Sequence, residues 1–369
     1  MGIIKEDIRK ILHTDLPWEA LYHSTILVTG GTGLIMTYLT YALLALNETG
    51  ADIQIILICR SEHKVKKKYG AVMDRPYFRI IYADVCEAVT LEEKIDYIIH
   101  AASMAVPAMF VTKPVETIRA NVTGTDHMLR LARKNQVRGF LFVSSCNVYG
   151  KDLPREPVCE SYSGSVDFND IRSCYCEAKR MGEMLCRSYY LEYQVPAVIV
   201  RPVYIYSPET NDKTLTAFTD FMNAVLKGED LVLHSDGSAV RSFCYAGDCV
   251  TAMFTALLKG KAGEAYNIAN STQAVSVLRL AQIFAEQSKG RSGITYDIRK
   301  DDLHKPLSDV FMLDTDKLEQ LGWHPQTGIE EGVARTIAGW LEQEDLYPEQ
   351  ENLPEINGWK ITGKGMAEK

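Results

Sequence analysis

Three side chains carry the residue types and spacing for proton and hydride chemistry at a hydroxyl-bearing carbon: Ser145, Tyr175 and Lys179. Tyr175 and Lys179 stand four residues apart in the run Ser173-Cys-Tyr-Cys-Glu-Ala-Lys-Arg180, and residues i and i+4 of a helix share one face. An ammonium beside a phenol favours the phenolate, so Tyr175 becomes a usable base while Lys179 reaches a cofactor ribose. Ser145 follows the apolar run Phe140–Ser144, at a strand end where a hydroxyl can meet that phenol. The expected chemistry is removal of a hydroxyl proton by Tyr175 as the carbon gives its hydride to a nicotinamide. Ser145 then hydrogen-bonds the oxygen as it becomes a carbonyl.

Such chemistry needs a dinucleotide site, and Val28-Thr-Gly-Gly-Thr-Gly-Leu34 supplies a glycine-rich turn between a strand and a helix. Gly30, Gly31 and Gly33 let the backbone approach a pyrophosphate, and the helix opening at Leu34 and Ile35 offers unpaired N–H groups. A third glycine is expected at position 36, where the chain has Met36, so the helix is expected to stand farther from the strand. The next strand ends Ile58-Cys-Arg-Ser61, without the acidic residue that grips an adenosine ribose. Arg60, followed by His63, Lys64, Lys66, Lys67 and Lys68, instead leaves NADP open beside NAD, although a lysine run is also what a solvated helix face looks like. Asp84 and Val85 are placed for the adenine edge, and Ala101, Ala102 and Ser103 end a strand beside the dinucleotide.

The elements that must position these groups alternate. Apolar runs Thr25–Thr29, Ile53–Cys59, Phe78–Tyr82, Tyr97–His100, Phe140–Ser144 and Ala197–Arg201 are separated by helical stretches at Leu34–Leu46, Val115–Lys134 and from Tyr175 to Tyr193. Apolar strands between helices predict an α/β fold, a Rossmann-type doubly wound parallel sheet covered on both faces. The expected division is an N-terminal helical extension (1–23), a dinucleotide domain (24–201, joined by about 240–260), a smaller α/β substrate-binding lobe (202–345) and a tail (346–369). Within that lobe, Gly263–Ile268 reads as a strand and Phe218–Lys227, Val277–Gln287 and Ile329–Glu342 as helices.

Composition narrows the field. A net charge of -8 argues against a nucleic-acid partner, which calls for a basic surface. No apolar run approaches the roughly 20 residues needed to span a bilayer, and the N-terminus lacks a secretory apolar core; a cytoplasmic protein with no membrane partner is expected. Nine cysteines at irregular spacings predict reduced thiols and no metal site.

Taken together, Gly30-x-x-Gly33, His100-Ala-Ala-Ser103, Asn121-Val-Thr-Gly-Thr125, Ser144-Ser-x-x-Val-Tyr-Gly150, Tyr175-x-x-x-Lys179 and Arg241-Ser-Phe243 resemble the extended short-chain dehydrogenase/reductase family over about residues 24–343. More narrowly, the chain is similar to nucleotide-sugar epimerases, dehydratases and UDP-glucuronate decarboxylases. The resemblance implies a tightly held NAD that oxidises C4 of a nucleoside-diphosphate sugar and is later reduced back. It also implies a substrate-side role for Asn121 and a diphosphate clamp in Arg241, whose guanidinium fork suits phosphate. Asn267 is expected to be structural, in a strand of the substrate lobe.

Departures narrow the reaction. After the hydroxyl, family 4,6-dehydratases carry an Asp-Glu pair and decarboxylases a Glu, whereas this chain has Cys146 and Asn147. Elimination of water needs an acid and a base, so a dehydratase is disfavoured. A 4-epimerase needs only oxidation, rotation and hydride return, and stands ahead of UDP-glucuronate decarboxylation. Tyr204 falls where relatives often place a substrate-contacting asparagine. An NADPH-dependent carbonyl reductase and a non-catalytic nucleotide sensor are the lesser alternatives. Family members pair through two helices, so a homodimer is expected. Met128, Leu129 and Leu131 on one helix, with Met181, Met184, Leu185, Tyr189 and Tyr190 on the other, can form its contact or pack in the core.

Overall fold

A computed structural model describes residues 2–151, 153–210, 216–298 and 310–346. The predicted tail after about 348 lies outside the described residues. Six strands, β1 (Thr25–Thr29), β2 (Gln54–Cys59), β3 (Phe78–Tyr82), β4 (Tyr97–His100), β5 (Gly139–Val143) and β6 (Ala197–Pro202), form one parallel sheet with a seventh, Ala265–Ile268. From one edge the order is Ala265–Ile268, β6, β5, β4, β1, β2, β3. The order reverses between β1 and β4, which places a crevice at their carboxyl ends, where ligands bind in such sheets.

The helices run α1 (Ile3–Leu12), α2 (Leu34–Glu48), α3 (Glu62–Tyr69), α4 (Pro107–Thr112), α5 (Pro114–Asn135), α6 (Ser173–Tyr193), α7 (Ala217–Lys227), α8 (Ala246–Lys259), α9 (Val277–Gln287), α10 (Asp316–Glu319) and α11 (Ile329–Leu346). Every residue of β4, β5 and β6 is buried, because α5 and α6 cover one face of the sheet and α2 and α8 the other. That burial explains why these strands read as unbroken apolar runs rather than alternating ones.

One expectation is corrected here. Ala265–Ile268 does not belong to the substrate lobe; it is the edge strand of the main sheet, with Asn267 opposite Arg201. Chain order carries no information about this, since the strand enters the sheet after the chain has already built part of the lobe. Met128, Leu129 and Leu131 are buried beneath the sheet and are core residues, not surface contacts. Met181 and Met184 of α6 are exposed, as are Val115 and Ile118 of α5.

The lobe has its own core, in which Tyr206, Phe218, Phe221, Phe243, Tyr245 and Phe284 pack together. It is tied to the dinucleotide domain by α1. Asp7 Oδ2 accepts hydrogen bonds from Tyr38 of α2 (3.0 Å) and from Tyr245 (2.6 Å), and its Oδ1 accepts from Arg335 of α11 (2.6 Å). Burial pushes the Asp7 carboxyl up, against the pull of these donors.

Candidate functional site

The glycine turn is shaped by close approach. Gly30 has φ +72°, and a Cβ there would lie 2.8 Å from Ala101 O, so the position demands glycine on both counts. Gly33 N donates to Gly30 O (2.9 Å), closing the turn. Gly33 then caps α2 without a side-chain hydrogen bond, which leaves the first-turn N–H groups of Leu34 and Ile35 for a pyrophosphate. Met36 is buried in the core behind the turn. At the adenosine end, Cys59 is buried with its thiol pushed up to about 11, chiefly by burial, against N–H donors from Gly31 and Thr32. The Arg60 guanidinium lies 3.6 Å from Asp84. The Cys86 N–H holds the Asp84 carboxylate below its usual range, with burial opposing and Arg60 adding to it. Val85 is buried against Gly124 of α5. Of the lysine run, Lys66 pairs with Glu62 on the surface, whereas Lys68 is turned inward against Glu209.

Between turn and chemistry runs a relay that sequence reasoning did not see. Thr29 Oγ1 accepts the N–H groups of Ala101 and Ala102, both at 3.1 Å. Its own proton is thereby left for His100 Nδ1, at 2.7 Å. His100 must then carry its proton on Nε2, which donates to Thr125 Oγ1 (3.2 Å), and Thr125 in turn donates to Asn121 O (2.6 Å). Burial drives the His100 value down to about 3, with the charge of Lys179 adding to it. The ring is a neutral spacer.

Tyr175, Lys179 and Ser145 all come together at the carboxyl end of β5, and all are buried. Burial pushes the Tyr175 phenol up; the Ser145 hydroxyl is the main opposing pull, and Ser103 adds to it. The expectation that Lys179 does this work is modified by the geometry. Its Nζ donates to Val143 O (2.7 Å) and stands 5.9 Å from the Tyr175 ring centre. Burial brings the Lys179 ammonium down to about 7, opposed by the charge of Glu183. Phe110 of α4, unread in the sequence, stacks on Tyr175 with ring centres 4.5 Å apart. No apolar periodicity singles out so short a helix.

The remaining predicted residues fall into two groups. Asn147 N donates to Ser145 Oγ (3.2 Å) in the short turn Cys146–Tyr149. The Cys146 thiol is raised to about 12 by burial, with Arg241 among the groups that pull it down, so Arg241 faces this end of the site. Asn121 is buried in α5, its Nδ2 on Thr117 O and its Oδ1 without a partner. Ser103 Oγ is likewise buried, facing the Tyr175 phenol without closing a hydrogen bond to it. Tyr204 sits apart, packed on Phe218 and Phe243 with its hydroxyl on Thr216. Among the described residues no cluster of His, Cys, Asp and Glu could hold a metal, and no helix is long and apolar enough to cross a membrane.

A glycine turn at a switch point, an open helix N-terminus, and the unpartnered Ser103 hydroxyl and Asn121 amide oxygen beside a Ser-Tyr-Lys group fit a nicotinamide dinucleotide, and define a dinucleotide-binding α/β protein. The profile of the NAD dependent epimerase/dehydratase family matches residues 26–269, and the chain belongs to that family. UDP-glucuronic acid decarboxylase 6 of Arabidopsis thaliana is 32% identical over 309 residues, covering 84% of this chain and 86% of its own length. UDP-glucuronic acid decarboxylase 2 of the same plant is 31% identical over 309 residues and 84% of this chain, but the match spans only 66% of that longer protein. The crystal structure of UDP-glucose 4-epimerase from Thermotoga maritima superposes with a TM-score of 0.72, over 86% of this chain and 98% of that one, at 24% identity; at that level the likeness is one of fold.

Proposed function

We propose that this chain oxidises C4 of a nucleoside-diphosphate sugar, most simply a UDP-sugar, and restores the hydride to the opposite face, as a 4-epimerase. The observation that carries the reading is the pairing of a complete Ser145–Tyr175–Lys179 group with a neighbouring turn that has no carboxylate. NAD, the cofactor of this family, when bound supplies the acceptor for the C4 hydride and gives it back. The chain's residues do the rest. Tyr175 takes the C4 hydroxyl proton, Ser145 holds the oxygen in place, and Lys179 supports the ribose side. Arg241 faces the diphosphate. Neither Asn147 nor the Cys146 thiol, raised to about 12, offers an acid or base at neutral pH for elimination of water.

Decarboxylation of a UDP-uronic acid is the second reading, favoured by the names of the relatives that match along most of this chain. A 4-keto uronic acid is a β-keto acid and loses carbon dioxide with little help, so the missing carboxylate at 147 tells less against it. Incubation with UDP-, dTDP-, GDP- and CDP-sugars, followed by mass detection, tests both. Unchanged mass with altered retention supports epimerisation, and loss of carbon dioxide supports the second reading. Loss of water overturns the argument from Cys146 and Asn147, and stoichiometric consumption of added NADPH overturns the recycling cofactor. The exposed apolar residues of α5 and α6 support a homodimer through those helices.

A further inference from the structure

The inward face of α6 does not stop at Lys179. Tyr175, Lys179 and Glu183 follow at four-residue intervals, and all three are buried. Glu183 is a buried carboxylate with three hydrogen bonds. Its Oε1 accepts from Ser144 Oγ (2.7 Å) and Arg201 Nε (2.8 Å), and its Oε2 accepts from Arg201 Nη2 (2.6 Å). Arg201 is anchored in turn, donating to Tyr149 Oη (2.8 Å) and Glu160 O (3.0 Å), while Tyr149 donates to Asn267 Oδ1 (2.6 Å). Three consecutive residues at the end of β5 therefore meet three consecutive turns of α6. Val143 O takes Lys179, Ser144 takes Glu183, and Ser145 faces Tyr175.

We propose that Glu183 is a positioning residue for the reaction: clamped by Arg201, it locks the end of β5 against α6 so that Ser145 and Tyr175 face one carbon, and it sets a buried carboxylate one helical turn beyond Lys179 on the same face of α6. The proposal rests on the reading of Ser145, Tyr175 and Lys179 given above. An uncompensated cation in this interior would shed its proton. The groups facing Lys179 are few. Tyr175, Glu183 and Cys186 lie on α6 itself, and His100 on β4, which is neutral and pushes no proton back. Val143 O and the Phe142 ring, 4.9 Å away, come from β5. Arg201 of β6 reaches the cluster only through Glu183, and Arg187 of α6 lies 3.9 Å from Glu183 Oε2 at the outer side. A bare ion pair would serve stability weakly; here its third hydrogen bond goes to the residue beside the reacting hydroxyl.

Glu183→Gln keeps the volume and removes the charge, while Ser144→Ala breaks the strand contact without stranding a charge. Lysine 13Cε resonances of the cofactor-free protein report Lys179 directly, assigned by comparison with Lys179→Met. In Glu183→Gln the Lys179 titration moves about one pH unit downward from its starting value near 7, and the alkaline limb of turnover on UDP-glucose or UDP-glucuronate moves with it. In Ser144→Ala the limb stays, and kcat falls about tenfold or more at unchanged KM and NADH affinity, the loss of one hydrogen bond to a charged group. A folded Glu183→Gln with unmoved Lys179 titration, or a loss of melting temperature alone in both variants, overturns the proposal. If Glu183→Gln does not fold, Ser144→Ala decides: unchanged kcat overturns it. Tyr175→Phe, run beside them, separates the two readings, since its failure to lose turnover removes the active-site assignment, whereas the Lys179 titration still tests the charge on Glu183.

Discussion

Replacing Thr29 by valine isolates the relay between the cofactor turn and α5, because valine matches threonine in shape and lacks only the hydroxyl. The change strands the N–H groups of Ala101 and Ala102 and the Nδ1 of His100. A buried polar group left unpaired costs about 1–3 kcal/mol. Ala101 and Ala102 are half-buried and can recruit water, so each group belongs at the lower end and the sum is about 3 kcal/mol. At about 2.1 cal/mol/K per residue, the unfolding entropy of a 369-residue chain makes that about 4 °C in Tm. Thr29→Ser keeps the hydroxyl and gives up one methyl, about 1 kcal/mol, or about 1 °C. Thermal unfolding of both variants by calorimetry, with NADH binding by fluorescence, provides the comparison. Thr29→Val falls well below Thr29→Ser and binds NADH more weakly. Equal Tm values for the two would refute the relay, since they would mean that the hydroxyl does nothing the methyl does not.

His100 adds a pH dependence of known sign. Its folded value near 3 lies below the ordinary 6.5, so between those pH values the unfolded chain binds a proton that the native state refuses. Stability therefore falls as pH drops from 6.5 towards 3, by at most about 5 kcal/mol, and this contribution is constant above 6.5. Imidazole NMR shifts tied to His100 should stay at their neutral-form values at pH 5; a midpoint between 5 and 7 refutes the assignment. For assembly, light scattering of the wild type should give twice the 41.4 kDa chain mass. Lysines in place of both Met181 and Met184 should give the single mass at unchanged Tm, and a monomeric wild type ends the dimer reading.

How much of this was legible in the sequence depends on how local the physics is. The inner strands β4, β5 and β6 announce themselves because burial on both faces keeps them mostly apolar, and the Tyr175–Lys179 pair because one helix carries both. The edge strand Ala265–Ile268 was assigned to the wrong layer, since pairing with β6 is a contact across more than sixty residues of chain. His100 was quoted within a motif but its role went unread, as its tautomer depends on hydroxyls from β1 and α5. Lys179 was expected to act on Tyr175, yet a carbonyl of the neighbouring strand captures its ammonium. Glu183 was the one miss with a visible signal: it continues the four-residue step one turn further. Arg60 and Tyr204 were placed by position along the chain, and their partners, Asp84 and Thr216, are set by the fold.

The carboxylate of Asp7 joins α1, α2, α11 and the end of the Phe243–Tyr245 strand at a single point. Pulling the two lobes apart like a clam would have to expose that junction, tearing a guanidinium and two phenols from one shared acceptor in a dry interior. A ligand of the crevice would therefore come and go by small shifts of the loops around it, and trimming the first dozen residues would loosen the jaw long before it melted the sheet.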